Sequence, residues 1–214
     1  MGYGARIDTV VGVGSRLLHL RSAKDNTIGQ LGQYLDLDAE RLFPEPRAPG
    51  AISVRRTAFD RMLKASTLSW RSSHEVMCPT YQKRHDGEYR KNKTAWARWV
   101  RPDGQRRKGC LLYVHGWLEP GSWVEEATLF RMWGKALDVD MLHVSLPFHG
   151  RRNPWRALFS GEFFFTADLV RTVEGVRQAV HDVRSAMAWL REQGYDEVGV
   201  AGISLGGSLT MQLA

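Results

Sequence analysis

The chain has 214 residues, of which 43% are hydrophobic and 25% charged, and this globular composition excludes collagen-like, disordered and membrane-bundle proteins. It contains no run of about 18 apolar residues that would span a bilayer, so the sequence predicts a soluble, cytoplasmic protein without a membrane span. The formal net charge of +7 favours an anionic partner, yet no nucleic-acid-binding signature accompanies the charge, and we expect no nucleic-acid partner.

The first part of the chain is weakly patterned and is predicted to be an extension. A proline-rich patch, FPEPRAP at residues 43–49, divides it from the rest of the chain. Short helices are predicted within it at residues 27–35 and 38–43. We therefore expect a partly helical extension over residues 1–65 and a core domain over residues 66–214.

Short strands come after the extension. Leu68 and Trp70 alternate with polar neighbours, and residues 94–101 are rich in Ala, Trp and Val. The Pro-Asp-Gly sequence at residues 102–104 predicts a chain reversal, because proline presets φ and glycine accepts φ > 0. We therefore expect an antiparallel hairpin that leads into residues 110–114.

Many basic residues surround this predicted hairpin. We expect them to be solvated around its turn, which gives them a structural explanation that needs no anionic partner: Lys83, Arg84, Arg90, Lys91, Lys93, Arg98, Arg101, Arg106, Arg107 and Lys108.

The two cysteines, Cys78 and Cys110, form no CxxC pair that would bind zinc or exchange thiols. We therefore expect neither a metal nor a cofactor. Cys110 opens an apolar run and is predicted to be a small buried hydrophobe.

The pattern then alternates between strands and helices. Three short apolar runs, typical of strands covered on both faces, lie at residues 110–114, 141–146 and 198–202. Between the first two, Ser122 is a predicted N-cap, and one helical face is predicted from the spacing of Trp123, Ala127, Phe130, Trp133 and Leu137.

A longer helix is predicted between the second and third runs. Gly194 lies where a C-cap glycine belongs, and the buried face is predicted to contain Val173, Val176, Val180, Val183, Met187 and Leu190. His181 lies on a different register from these residues and is predicted to face solvent.

This alternation predicts an α/β fold, with parallel strands joined by right-handed crossovers. Ligand chemistry is expected at the carboxyl ends of the strands. The loops that begin at His115, Pro147 and Ile203 should converge there.

The third loop carries the pattern GxSxG around Ser204, between a strand and a helix. A nucleophile in this position needs a strained turn, and Gly202 and Gly206 remove side chains that would clash. The turn would project Oγ of Ser204 above the sheet edge. It would also leave the amide of Leu205 at a helix N-terminus, where negative charge is stabilised.

Three motifs come after successive strands: VHGW at residues 114–117, LPFHGRR at 146–152 and GISLGG at 202–207. In this order they resemble the α/β-hydrolase superfamily of serine esterases and lipases, over roughly residues 67–214. The resemblance implies a mostly parallel sheet flanked by helices. It also implies an oxyanion hole made by the amides of Trp117 and Leu205, with Gly116 allowing close approach of the backbone and His115 in a structural role.

The second loop leaves two roles open for His149, which could contact substrate or stabilise the turn. The phenylalanines further along the chain could line an acyl pocket or pack in the core: Phe159, Phe163, Phe164 and Phe165.

A serine nucleophile needs a histidine base and a carboxylate, which come after the serine in this superfamily. Residues 205–214 contain neither. We therefore expect an incomplete core that lacks its C-terminal strands, the N-terminal part of a longer enzyme that is inactive as the 214-residue chain.

The sequence thus predicts a serine hydrolase that cleaves carboxylic esters or related acyl bonds of a small-molecule substrate through an acyl-enzyme at Ser204. The alternative is a non-catalytic binding protein that keeps the α/β-hydrolase pocket for a ligand or partner.

Overall fold

The computed structural model describes residues 27–62, 64–101 and 106–213. The predictions for the turn at residues 102–104 and for residues before 27 lie outside this part of the chain. The described residues form a mixed α/β fold around one six-stranded sheet in the order β1-β2-β3-β5-β4-β6. The strands are β1 (Ser53–Arg55), β2 (Ala65–Arg71), β3 (Thr94–Val100), β4 (Gly109–Val114), β5 (Val139–Ser145) and β6 (Glu197–Gly202).

Helices connect and flank these strands. Short 3₁₀ helices occur at Ile28–Gln30, Arg90–Lys93 and Gly150–Arg152. The α-helices of the described residues are α1 (Gly32–Leu35), α2 (Ala39–Leu42), α3 (Ala58–Met62), α4 (Pro79–Asp86), α5 (Trp123–Ala127), α6 (Leu129–Ala136), α7 (Leu169–Glu192) and α8 (Leu205–Thr210). None of them combines the length and apolar character that crossing a bilayer requires.

The three predicted apolar strands are confirmed as β4, β5 and β6. They run parallel, and Val114 of β4 pairs with Val144 of β5 and with Gly202 of β6. Because these register partners lie at the same ends of their strands, the three loops that leave them begin at one edge of the sheet.

Strands β4 and β5 are covered on both faces, but the expected burial of β6 was wrong, since none of its residues is buried. Leu112 and Leu142 lie in the core cluster that contains the buried residues of α7. Tyr113 and Met141, which alternate with them along the strands, pack with Phe130 of α6 in a second cluster. The predicted burial of Cys110 is confirmed, and burial raises the pKa of its thiol.

The predicted neighbour of β3 was wrong. β1, β2 and β3 pair antiparallel with one another, but the predicted antiparallel partner of β3 was β4, and β3 instead pairs antiparallel with β5. The crossover from β4 places β5 beside β4 in parallel, and β3 pairs with the other side of β5. The local turn could not decide which strand β3 meets.

The predicted hairpin location of the basic residues was wrong for much of the cluster. Lys83 and Arg84 lie in α4, and Arg90, Lys91 and Lys93 lie in a 3₁₀ helix. Three of the cluster's arginines, Arg84, Arg98 and Arg107, are also part-buried and paired with acids, not solvated. Arg84 binds Asp168 at 2.6 Å. Arg98 binds Asp60 and Glu126.

The long helix α7 is confirmed, together with its C-terminal glycine. Gly194 has φ +78°, the left-handed conformation of a C-cap glycine. The predicted solvent exposure of His181 was wrong, since the residue is only 9% exposed. Its Nε2 lies 3.4 Å from Oγ of Ser73 and its ring 5.9 Å from that of His74, because the segment after β2 covers this side of the helix.

The single helix predicted between β4 and β5 was also wrong. The segment forms two helices, α5 and α6, that meet at Thr128, whose φ −119° and ψ −82° are not helical. Phe130 is buried, but Trp123 and Leu137 are 62% and 59% exposed. Ser122 occupies the N-cap position of α5, yet its hydroxyl donates to Glu126 and does not cap the backbone.

The short helical segments predicted before residue 43 are present, and they pack against α7. The hydroxyl of Tyr34 donates to Glu174 at 2.7 Å. Arg177 and Arg184 donate to the carbonyl oxygens of Leu42 and Phe43. These contacts attach residues 27–43 to the same face of the sheet as α7. The division of the chain near residue 65 stays a prediction.

Candidate active site

The candidate site lies where the loops after β4, β5 and β6 begin. A Cβ added at Gly116 would lie 3.6 Å from the Ser204 Cβ and 3.6 Å from the carbonyl oxygen of Ile203. The backbone N–H of Ile203 also donates to the carbonyl oxygen of Val114 at 3.2 Å. The first and third loops are therefore in direct contact.

Ser204 occupies the turn between β6 and α8. Its φ of 54° and ψ of −118° are rare for a residue with a side chain, and the side chain is exposed. Its hydroxyl makes no hydrogen bond to the part of the chain that the structure describes. The turn thus presents an exposed hydroxyl at the sheet edge.

Two glycines make this turn possible by close packing. A Cβ on Gly206 would lie 2.0 Å from the carbonyl oxygen of Val114, and one on Gly202 would lie 2.4 Å from the backbone of Gly206. Both distances are far inside van der Waals contact. The start of α8 can pack directly against the end of β4 only because these two positions lack side chains.

Left-handed backbone is concentrated at the same edge. In the described residues, five non-glycine residues have positive φ, and three of them are Leu118, Phe148 and Ser204. Each lies in a different one of the three loops. Residues in such conformations cost on the order of 1–3 kcal/mol and are held there by their surroundings.

His115 has two backbone partners. Its Nε2 accepts a hydrogen bond from the amide of Leu146 at 3.0 Å, and its Nδ1 lies 2.7 Å from the carbonyl oxygen of Gly116. These partners select the tautomer that is protonated at Nδ1. Burial lowers the pKa of His115 to about 4, so the imidazole is neutral at physiological pH. His115 thereby ties the first loop to the second.

His149 belongs to the second loop, and its side chain is buried. Its Nδ1 lies 2.8 Å from the carbonyl oxygen of Pro147, while Nε2 has no hydrogen-bond partner among the described residues. Burial, with a smaller contribution from His115, lowers the pKa of His149 to about 3. The ring contacts those of His115 and Phe164, with centroids 4.8 and 5.6 Å apart.

Gly161 packs against both loops, although no sequence motif marks it. It has φ +84°, and a Cβ there would lie 2.4 Å from Nε2 of His149 and 2.8 Å from Cδ1 of Trp117. The indole N–H of Trp117 donates to the carbonyl oxygen of Gly161 at 2.8 Å. Only tertiary structure reveals this contact, because its partners are distant in sequence.

The phenylalanines after the second loop lie in two different surroundings, and the lining of an acyl pocket stays a prediction. Phe163 and Phe164 are buried in the main core. Phe159 and Phe165 contact the ring of Trp117, with centroids 6.1 and 6.5 Å away, and Phe165 is 38% exposed. An aromatic surface therefore extends from the first loop.

A buried ion pair anchors the second loop to α7. Nη2 of Arg152 lies 2.8 Å from Oδ2 of Asp182, and both side chains are almost inaccessible. Arg152 also donates to the carbonyl oxygens of Ser145 and Asn92. In the sequence, only the adjacent Arg151 and Arg152 after β5 indicate such an anchor. They do not predict that Asp182 is the acid with which Arg152 pairs.

We looked among the described residues for a general base beside Ser204 and for a metal site. No hydrogen bond in the described residues joins Ser204 to His115 or to His149, whose ring Nδ1 atoms lie against backbone carbonyl oxygens. The described residues also contain no group of three His, Cys, Asp or Glu side chains placed to hold a metal ion.

Sequence comparison finds relatives that are themselves uncharacterised. No family model matches the chain. Uncharacterised proteins from two Mycobacterium tuberculosis strains are 34% identical over 110 residues, which is 49% of this chain and 25% of theirs. The chain therefore spans about a quarter of the length of these curated relatives.

Solved structures of esterases share the architecture. A protein assigned as an acetyl xylan esterase from Bacteroides fragilis matches with a TM-score of 0.56 and 14% identity, covering 82% of this chain and 47% of that one. Acetyl xylan esterase 1 from Thermoanaerobacterium matches with a TM-score of 0.50 and 14% identity, covering 92% and 58%. At this level of identity, the likeness establishes an esterase-like α/β fold.

Proposed function

We propose that this protein is a serine hydrolase of the α/β-hydrolase superfamily that cleaves carboxylic esters or related acyl bonds through an acyl-enzyme at Ser204. The observation that carries the proposal is the backbone of Ser204, with φ 54° and ψ −118°, between the parallel strand β6 and the helix α8. Rare conformations of this kind persist where the surrounding structure enforces them, and they cluster at active sites.

The chemistry starts with attack of Oγ of Ser204 on the acyl carbon. A base takes the hydroxyl proton, and the carbonyl oxygen becomes an oxyanion. Collapse of the tetrahedral intermediate releases the alcohol, which receives that proton, and water then hydrolyses the acyl-enzyme by the same steps.

We assign the oxyanion hole to the backbone amides of Trp117 and Leu205. Leu205 directly follows the nucleophile. Trp117 follows Gly116, and a Cβ added at Gly116 would lie 3.6 Å from the Cβ of Ser204. One such donor is worth about 3 kcal/mol of transition-state stabilisation in a serine hydrolase. Gly202 and Gly206 support the turn, and His115 supports the first loop.

The proposal places the general base and its carboxylate partner outside the described residues. His115 and His149 are neutral, buried and bonded through Nδ1 to the backbone, so neither has the geometry of the base.

Ester turnover by the full-length protein tests the proposal. Ser204→Ala should lower kcat/KM for a p-nitrophenyl ester by at least about a thousandfold. Ser208→Ala is the matched control, since Ser208 is an exposed serine one turn further along α8, and it should retain activity. Retained activity in Ser204→Ala, or an equal loss in Ser208→Ala, would reject the assignment.

A non-catalytic binding protein is the second candidate. The observation that favours it is the hydroxyl of Ser204, which has no partner in the described part of the chain. A full-length protein that binds acyl compounds but shows no Ser204-dependent turnover would support this alternative.

A further inference from the structure

A cavity lies on the face of the sheet that carries Tyr113, and residues of the first and second loops form part of its rim. Its volume is about 320 Å³, and it is bounded by β3, β5, α3 and the start of α5. Ser204, Trp117 and His149 do not line it. The volume lies at the lower end of the range of about 300–1,000 Å³ that is usual for small-molecule sites.

The floor of this cavity contains a fixed charge cluster. Arg98 donates to both carboxylate oxygens of Glu126, at 2.7 and 2.6 Å, and to a carboxylate oxygen of Asp60. The guanidinium is therefore committed to its two acids. Burial raises the pKa of Asp60, but hydrogen bonds from Thr57 and Arg98 outweigh it and lower that pKa overall. One cation and two carboxylates give this cluster a net charge of −1.

An imidazole without hydrogen bonds lies beside the cluster. His143 of β5 pairs with Arg98 of β3 in the sheet, lines the cavity and is 2% exposed. Neither ring nitrogen has a hydrogen-bond partner among the described residues, and Nε2 lies 3.8 Å from a carboxylate oxygen of Glu119. Burial holds the pKa of His143 well below its usual range, so one ring nitrogen is a free acceptor.

Such a group is costly unless something pairs with it. A buried polar atom without a hydrogen bond costs about 1–3 kcal/mol. A ligand that donates to His143 would recover this energy. The strand sequence MLHVSL contains the corresponding signal, a histidine within an otherwise apolar run.

The walls of the cavity are aromatic. Trp123 and Phe59 line it and are 62% and 53% exposed. Trp96 also lines it, and the guanidinium of Arg151 lies 4.8 Å from the Trp96 ring centroid. This wall already holds one organic cation by a cation–π contact, and the faces of Trp123 and Phe59 offer the same interaction.

We propose that this cavity binds a small organic amine in its protonated form. The ammonium group donates to His143 and faces the cluster of Asp60, Glu126 and Arg98. The apolar body of the amine packs against Trp123 and Phe59. An anion of the same size is disfavoured at the floor, because it would approach two carboxylates while the part-buried Arg98 is already paired with them. The other cation of the lining, Arg151, is exposed and lies against the ring of Trp96.

Three probes that share a phenylethyl group test the charge preference by isothermal titration calorimetry on the 214-residue chain. They are 2-phenylethylamine, 2-phenylethanol and 3-phenylpropionate, which are cationic, neutral and anionic at neutral pH. The amine should bind at least about tenfold more tightly than either of the others. Equal binding of the three, tighter binding of the carboxylate, or no binding of the amine at millimolar concentration would overturn the proposal.

Matched tryptophan variants locate the site. Trp123→Ala should weaken amine binding about tenfold. Trp155→Ala, which removes an 84% exposed tryptophan outside the cavity, should change it less than about twofold. Equal effects of the two variants would contradict the location.

A further variant separates this site from the proposed active site. Ser204→Ala should leave amine binding unchanged, because Ser204 does not line the cavity. Loss of amine binding in Ser204→Ala would place the amine at the proposed active site and reject the proposed amine site beside His143. Failure of ester turnover has no bearing on this result, since the readout is binding.

Discussion

At the scale of single residues, the close contact between Gly202 and Gly206 allows the tight turn that exposes the side chain of Ser204. Gly206 and Gly207 are adjacent glycines in α8, but their surroundings differ. A Cβ on Gly206 would lie 2.0 Å from a backbone oxygen of β4, whereas one on Gly207 would come no nearer than 3.4 Å to its closest neighbour.

This difference makes Gly206→Ala and Gly207→Ala a matched pair. We expect Gly206→Ala to lower the free energy of unfolding by more than about 4 kcal/mol, or to prevent folding, because backbone must move. Gly207→Ala should change it by no more than about 1 kcal/mol, since alanine is the better helix former. Urea unfolding of both variants measures this, and similar stabilities would refute the close approach of α8 to β4.

The buried histidines make stability depend on pH. His115 and His149 have pKa values lowered to about 4 and about 3 by burial. In the unfolded chain an imidazole titrates near pH 6.5, so below that pH the unfolded state binds protons that the folded state does not. Their stabilising contribution is complete above about pH 6.5 and is lost as the pH falls toward the folded-state values.

We expect His149→Gln to reduce this pH dependence. Each such histidine costs up to about 1.4 kcal/mol per pH unit below its unfolded pKa, so the variant should lose less stability than the parent between about pH 6.5 and pH 5. Glu174, whose pKa is lowered to about 2, contributes only below this window. Urea unfolding across the window measures the slopes, and equal slopes would mean that folding does not lower the pKa of His149.

Sequence predicted some of these residues and not others, for physical reasons. Gly202, Ser204 and Gly206 belong to a local turn, so their spacing along the chain carries the information. The contacts of Gly161 and the isolation of His143 arise between segments distant in sequence. No local pattern encodes such contacts.

At the scale of elements, the cap of α7 has more partners than an ordinary N-cap. Oδ1 of Asp168 accepts from the amide of Arg171 and from the hydroxyl of Thr27, and its Oδ2 accepts from Arg84 at 2.6 Å. Asp168 is fully buried. Asp38 caps the short helix α2 through the amide of Arg41, and that bond is exposed.

Replacing each cap by alanine should separate these situations. Asp168→Ala should cost about 3–5 kcal/mol of unfolding free energy, because it leaves the buried guanidinium of Arg171 without its acid. Asp38→Ala should cost about 1 kcal/mol or less. Thermal and urea unfolding measure both. Comparable small losses would show that Asp168 acts as a cap alone.

Periodicity predicted the elements better than their neighbours. The apolar spacing along α7 and the runs of β4 and β5 result from burial that the sequence displays directly. The apolar run of β6 also predicted a strand, although none of its residues is buried. The apolar spacing before β5 also fitted one helix, yet the chain breaks at Thr128 and leaves Trp123 exposed. Tertiary packing decided that break, and it equally decided that β3 pairs with β5.

At the scale of the whole molecule, the parallel register gathers residues that are far apart in sequence. The loops after β4, β5 and β6 start at one sheet edge because their strands end in register. The buried pair of Arg152 and Asp182 then fixes the second loop to α7. Alternation of strands and helices was sufficient to predict this convergence, but the ion pair required the structure.

The central claim is that this architecture makes the hydroxyl of Ser204 a nucleophile. Fluorophosphonate labelling of the full-length protein, with peptide mass spectrometry to locate the label, tests it most directly. We predict a single modified residue, Ser204, and loss of labelling in Ser204→Ala with labelling retained in Ser208→Ala. Labelling at another residue, or undiminished labelling of Ser204→Ala, would contradict the claim.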